Sequence, residues 1–400
     1  MLKRFAYSKI LRWKSSDSYN LLLVGGPSGV GKSTLCFDFV QNEYNSYLIL
    51  DSRDEDILKI DFSTNPECIL IDNLDGSINK LQEIQDLCLK NKNIDFIVID
   101  SFAKAIKGNI KLEKVNYLSL SALTYEEFLI NANFDLYEVF TNLSTPNLID
   151  IELHEKLISY YRLYLIVGGM PEVVFDFIDK GYNFQRIRAM QNKIISEMFL
   201  NLKFYFKLTD YKNFDKIIKL IFPTLLRPNK KFKITDISNS RRLSNFIHNF
   251  EILSDLGYIK LIHQISEKSF IVTFFDSGLL GAHSDIPESM YTEVLIDNPI
   301  TLSLVYNNVS SELYSFSKDS IYYWTKNMSK VEFVLKSKDK YIGIELKNDD
   351  SGKLKSLIEF NNNYDNCRIV RLNNKAPNKK GNVITLPLYL VANIARSFFN

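Results

Sequence analysis

Two short stretches carry residue types at spacings that chemistry could use. GPSGVGKS, Gly26 to Ser33, fits the pattern G-x-x-x-x-G-K-[ST], follows the apolar run LLLVG and opens a helical stretch. In that setting Gly26, Gly29 and Gly31 let the backbone turn tightly and aim amide N–H groups at phosphate oxygens. Pro27, Ser28 and Val30 complete the cradle. Lys32 reaches the β- and γ-phosphates, Ser33 offers its hydroxyl to Mg2+, and Thr34 follows on the first helical turn, where the dipole favours an anion. The second stretch is CILIDNLD, residues 68–75. Four apolar residues lead to Asp72, which is placed to hold Mg2+, and then to Asn73. An amide there can bind a water but cannot take its proton, as a carboxylate would. Asp75 is the nearest acid, but it starts an Asp-Gly turn. A third apolar run, DFIVI, ends in Asp100-Ser101. Ser101 is either a polar group sensing the γ-phosphate or a helix N-cap before FAKAIKG.

These residues need a scaffold that brings strand ends together. LLLVG (21–25), YLIL (47–50), CILI (68–71), DFIVI (95–99) and VNYLSL (115–120) read as buried strands, with STLCFDFVQNE and SINKLQEIQDLCLK as helices between them. Such alternation predicts a parallel sheet covered on both faces, with the site at the carboxyl ends of its strands. From about 124 to 222 the pattern is helical, broken at VGGMPE (167–172), with a boundary after Pro146 at Asn147–Asp150. Residues 223–285 hold short helices and an extended hairpin, KLIHQISEKSFIVTFF. Strands return near 321–324, 331–335 and 341–346.

Composition sets the class. The 400 residues suggest several domains, and 46% hydrophobic with 24% charged residues is the profile of a core-rich folded chain. Lysine plus arginine (49) nearly balances aspartate plus glutamate (47), so bulk charge does not argue for nucleic acid. Cys36, Cys68, Cys88 and Cys367 form no C-x-x-C pair, which speaks against zinc and disulfide frameworks and for a reducing, cytoplasmic setting. No apolar run is long enough to cross a bilayer. The basic start, MLKRFAYSKILRWK, reads as a short helix packing Leu2, Phe5, Leu11 and Trp13 on the first domain; a transit peptide or a membrane-surface helix is the other reading.

The phosphate loop, ILID (69–72), LTYEEFL (123–129), YLIVGGMPEVV (164–174), NKKFKITDI (229–237), FFDSGLL (274–280) and YYW…VEF…IELK (322–347) together resemble a group of prokaryotic AAA-type P-loop ATPases. These carry an appended winged helix and a C-terminal domain related to PD-(D/E)xK nucleases. The resemblance implies an α/β fold: an AAA-type parallel-sheet core (1–146), a helical lid (147–210), a winged helix (211–287) and a small restriction-endonuclease-like α/β domain (288–400). It also implies that Gly168, Gly169 and Pro171, at the start of the lid, contact the nucleotide. The chain departs from the family where Asp72-Asn73 stand for Asp-Glu, Glu113-Lys114 for Gly-Arg, and Ala122 for Pro. No arginine finger is assigned; Arg53 and Arg162 are candidates by elimination, and a surface salt bridge suits each better.

Two further groups remain. LRPNKKFKITDISNSRR (226–242) is basic, and Lys230, Lys231, Arg241 and Arg242 are candidate DNA contacts on a winged helix whose recognition helix starts near Ser240. The alternative is a solvated face on a domain that meets protein partners. In the tail, Glu332 and Glu345 on adjacent strands, with Lys347 beside them, make the core of a PD-(D/E)xK-type site. The upstream helix region ITLSLVY adds no glutamate, and a degenerate tail used for binding is the favoured reading over a metal-dependent nuclease. The expectation is an ATP- and Mg2+-binding protein, either a slow ATPase or a nucleotide-held switch that engages DNA or a protein partner.

Overall fold

The computed structural model describes residues 1–399 except 17–18, 55–59, 105–114, 142–148, 233–243, 267–268, 292–294, 317–319, 348–354 and 381–382. The chain forms two compact units, residues 1–123 with 250–258, and residues 124–249 with 259–400.

The first unit is a five-stranded, wholly parallel sheet. Its strands are β1 (Leu21–Gly25), β2 (Tyr47–Asp51), β3 (Cys68–Asp72), β4 (Asp95–Ile99) and β5 (Asn116–Ser119), in the order β2-β3-β4-β1-β5. Every residue of β1 and β3 is buried, as expected of central strands covered on both faces, whereas no residue of β2, at the edge, is fully buried. Helices α1 (Phe5–Lys14), α2 (Lys32–Glu43) and α3 (Ile78–Lys90) belong to this unit. Helix α3 starts where Ser77 Oγ accepts from Lys80 N, and it buries Leu81, Ile84 and Cys88 at helical spacing. Those residues join Leu21, Leu23, Ile69, Ile71, Phe96 and Val98 in one core. The order reverses at β1, which lies between β4 and β5; in open parallel sheets such a reversal is where ligands bind, at the carboxyl ends of the strands.

Helix α1 forms as expected, but its buried face differs. Ala6, Ile10 and Trp13 are buried, while Leu2, Phe5 and Leu11 are only partly covered. The helix also carries a buried charge, Arg4, just before its first turn.

The second unit begins with helices α4 (Tyr125–Ala132), α5 (Phe134–Thr141), α6 (Ile151–Val167), α7 (Pro171–Lys180), α8 (Phe184–Tyr205) and α9 (Leu208–Leu225). Helix α10 (Ser244–Asp255) follows, its last residues counted with the first unit. An eight-stranded mixed sheet then runs in the order β12-β13-β11-β10-β9-β8-β6-β7. It comprises β6 (Ile259–Gln264), β7 (Phe270–Phe274), β8 (Ile321–Lys326), β9 (Ser329–Ser337), β10 (Lys340–Leu346), β11 (Cys367–Asn373), β12 (Asn378–Lys380) and β13 (Val383–Pro387). Helices α11 (Ser277–His283), α12 (Pro299–Tyr314), α13 (Lys355–Asn361) and α14 (Val391–Phe399) complete the unit. The hairpin β6–β7 is not a free wing. His263 and Gln264 pair in parallel with Tyr322 and Tyr323 of β8, so the hairpin and the tail strands form one continuous sheet.

No helix among the described residues is long and apolar enough to cross a membrane.

Candidate functional site

The loop after β1 has the shape its sequence demands. Gly26, Gly29 and Gly31 all have positive φ. At Gly26, φ is +136°, and a Cβ there would collide with the carbonyl oxygen of Leu120, so only glycine fits. Gly31 is the N-cap of α2 and supplies no side-chain cap, so the first amides of the helix have no side-chain acceptor. Val30 is fully buried and anchors the loop; Ser28 and Ser33 are partly covered, and Thr34 is exposed. Lys32 is buried, and its Nζ donates to Gly26 O (2.9 Å), Pro27 O (2.9 Å) and Ser101 Oγ (3.0 Å). Burial pulls its pKa down to about 8, against the opposing pull of Asp100 and Asp72. A buried ammonium held by neutral oxygens at an uncapped helix start is built to meet an anion.

Asp72 closes β3 in the buried rim and accepts from Asn73 N (2.8 Å). Its carboxylate and the Ser33 hydroxyl are the oxygens that could hold a divalent ion. Asn73 adopts a left-handed conformation, φ +59°, and its Nδ2 donates to Asp51 Oδ2 at 2.8 Å. Asp51 is also paired with Arg53 (2.7 Å), which with its other hydrogen bonds holds its carboxyl well below the usual range. Arg53 is thus in the surface salt bridge expected of it. Asp75 and Gly76 both have positive φ and make the expected turn. Asp100 is buried and accepts from Phe102 N (2.7 Å) and Gly76 N (2.8 Å), so it pins that turn to the end of β4. Burial raises its pKa, and those two amides oppose the rise. With Asp100 capping Phe102, the Ser101 hydroxyl faces Lys32. FAKAIKG runs on into the undescribed residues, and Glu113-Lys114 lies wholly among them.

Three supports escaped the sequence reading. Arg4 donates from Nη1 to Val30 O (2.9 Å) and from Nη2 to Ser121 O (2.7 Å), tying the N-terminal helix to the phosphate loop. Residues 257–258 pack on the same loop: a Cβ on Gly257 would sit 2.8 Å from Pro27 Cδ, and buried Tyr258 hydrogen-bonds the Ser28 backbone. Asp51 is the third. No local signal ties residue 4 to residue 30 or residue 258 to residue 28.

A family model described as a domain of unknown function (DUF8612) matches residues 158–289. No curated protein matches. Among solved structures, a Walker-type ATPase of Pyrococcus abyssi is similar at 12% identity and a TM-score of 0.47, over 71% of this chain and 96% of that one. The RuvB Holliday junction branch migration motor of Thermotoga maritima is similar at 13% identity and a TM-score of 0.30, over 68% and 92%.

In the second unit, YLIVGGMPEVV closes α6 and opens α7, with Pro171 at the first helical position. Gly168 has φ +75° and ψ −170°, and a Cβ would collide with the Asp276 carboxylate. Gly169 N donates to Asp276 Oδ2 (2.6 Å), and Leu279 N to Oδ1 (2.7 Å). The glycine pair therefore already has a structural partner in FFDSGLL. Gln191 Nε2 completes the joint by donating to Ile166 O and Val167 O at the end of α6. LTYEEFL is likewise structural: Thr124 and Glu127 form a capping box on α4, and Glu126 pairs with Arg396.

The basic and acidic candidates of this unit converge. Lys230 does not offer its ammonium to solvent as a phosphate contact would; it is buried, with Nζ 2.9 Å from Leu225 O. Lys231 Nζ lies 3.3 Å from Gln264 Oε1. Lys233, Arg241, Arg242 and the start of a recognition helix near Ser240 lie outside the described residues. Glu332 on β9 and Glu345 on β10 each lie one residue past the Phe333–Ile344 cross-strand pair, with Lys347 just beyond β10. Helix α12 covers ITLSLVY and does carry one glutamate farther along, Glu312, which is buried and accepts from Tyr125 N (2.8 Å).

Proposed function

We propose that the first unit binds ATP with Mg2+ and acts as a slow ATPase or nucleotide-held switch in the cytoplasm. The observation that carries this reading is Lys32, a buried ammonium at an uncapped helix start whose partners are neutral oxygens a polyphosphate can replace. Gly26 to Thr34 supply the cradle, and Ser33 and Asp72 take the metal. Slowness follows from residue 73: its amide is committed to Asp51 and cannot accept a proton from water. Contact of Gly168, Gly169 and Pro171 with the nucleotide belongs to this reading as a second role beside their joint with Asp276. The experiment is binding of a fluorescent ATP analogue and phosphate release, each measured in wild type and Lys32→Ala. Loss of binding in the variant with low wild-type turnover supports the proposal; equal binding in both refutes it.

The lid (147–210), winged helix (211–287) and nuclease-like domain (288–400) are proposed as the parts through which the nucleotide state is passed on. For DNA contact, Arg241 and Arg242 are the better candidates, since Lys230 is buried and Lys231 is engaged with Gln264. A protein partner at the C-terminal domain is the alternative. A salt-sensitive shift of DNA mobility, weakened in Arg241→Ala, separates the two.

A further inference from the structure

The end of helix α10 is built into the first unit, where it meets the phosphate loop. Gly257 N donates to Ser254 O (3.1 Å) and Tyr258 N to Leu253 O (3.0 Å), the paired bonds of a helix closed by a left-handed residue, here Gly257 at φ +81°. Phe250, Leu253, Leu256 and Tyr258 are buried, and Asp255 pairs with Lys104 (2.9 Å) in the segment that follows Ser101. A Cβ on Gly257 would sit 2.8 Å from Pro27 Cδ and 3.1 Å from its Cγ, so the turn packs backbone-first on the Pro27 ring. The Tyr258 hydroxyl accepts the backbone N–H of Ser28.

One peptide of the loop is therefore held twice. Its carbonyl, Pro27 O, accepts from Lys32 Nζ at 2.9 Å, and its N–H, on Ser28, goes to Tyr258. A trans peptide directs these two groups oppositely, so Lys32 and Tyr258 grip the same plane from opposite edges. A polyphosphate that draws Lys32 away releases one edge. The plane then depends on the Tyr258 hydroxyl and on the Gly257–Pro27 contact. A loop already fixed in its binding shape loses less freedom when the anion arrives, and so binds it more tightly.

We propose, resting on the ATP reading of the first unit, that Tyr258 is a positioning residue of the nucleotide site, which holds the Pro27–Ser28 peptide in place when Lys32 turns to the phosphates. The test uses the full chain and Tyr258→Phe, which keeps the ring and drops the hydroxyl. Affinity for a fluorescent ATP analogue and for tripolyphosphate, its competitor, should both fall about three- to tenfold, the range of one hydrogen bond. A direct readout of the contact is available, because Pro27–Ser28 is the one Pro–Ser step in the sequence. Carbonyl-13C proline with 15N serine therefore isolates the Ser28 amide in an NMR spectrum. In wild type that amide should exchange slowly with D2O, both empty and with tripolyphosphate bound; in Tyr258→Phe it should exchange at least tenfold faster. Equal affinities in wild type and a folded Tyr258→Phe overturn the proposal. Fast Ser28 exchange in either wild-type state overturns it too, and decides the matter should Tyr258→Phe not fold. A wild type that binds neither ligand refutes the ATP reading itself, and this proposal with it.

Discussion

The amide of Asn73 donates to the carboxylate of Asp51 at 2.8 Å, linking the ends of β3 and β2. The acid that hydrolysis wants at position 73 is thus one strand away, and Arg53 holds it charged. Asn73→Glu alone would set two carboxylates against each other. The exchange Asp51→Asn/Asn73→Glu keeps the hydrogen bond and moves the carboxylate to β3. Its phosphate release should exceed that of wild type by tenfold or more, and that of Asn73→Glu by a clear margin.

Nucleotide affinity should depend on pH through Lys32. Burial holds its pKa at about 8, so the empty protein loses this proton above that pH, whereas a bound polyphosphate favours the ammonium. Affinity is therefore flat below about 8 and falls as pH rises above it, by at most about tenfold per unit. Titrations with a fluorescent ATP analogue between neutral and alkaline pH measure this.

Gly168→Ala should destabilise the second unit by about 3 kcal/mol, since φ +75° with ψ −170° is a region nearly closed to side chains and the Asp276 carboxylate fills the space. Urea melts read the loss. Faster amide exchange at the α6–α7 junction would place it there.

Glu312 gives a stability profile with a definite sign. Burial raises its pKa to about 8, with the Tyr125 amide opposing. Between the ordinary carboxylate range and about pH 8, the folded chain keeps a proton that the unfolded chain has lost, so stability falls as pH rises through that window. Glu312→Gln keeps the acceptor for Tyr125 N without the charge. It should match wild type in mild acid and exceed it by about 1–3 kcal/mol at pH 8.5, as read from urea melts.

Much of the first unit was legible in the sequence. Continuous apolar runs such as LLLVG and CILID mark strands covered on both faces, and the glycine spacing before Lys32 fixes the loop that follows β1. What stayed hidden depends on contacts between distant residues. Arg4 with Val30, Tyr258 with Ser28, and Asp51 with Asn73 join positions that no local period connects. In the second unit the motifs were visible but their partners were not: GG at 168–169 meets Asp276 more than a hundred residues on. Lys230 read as a DNA contact because sequence reports charge without reporting burial.

The shared sheet of the second unit limits how this protein can be divided. Because β6 pairs with β8, cutting the chain after residue 287 would strip β6 of a neighbour and leave bare peptide N–H and C=O groups along its edge. A fragment ending there would be an adhesive one, prone to stack on its own copies. Any attempt to study the 211–287 segment by itself should keep β8 and β9 attached.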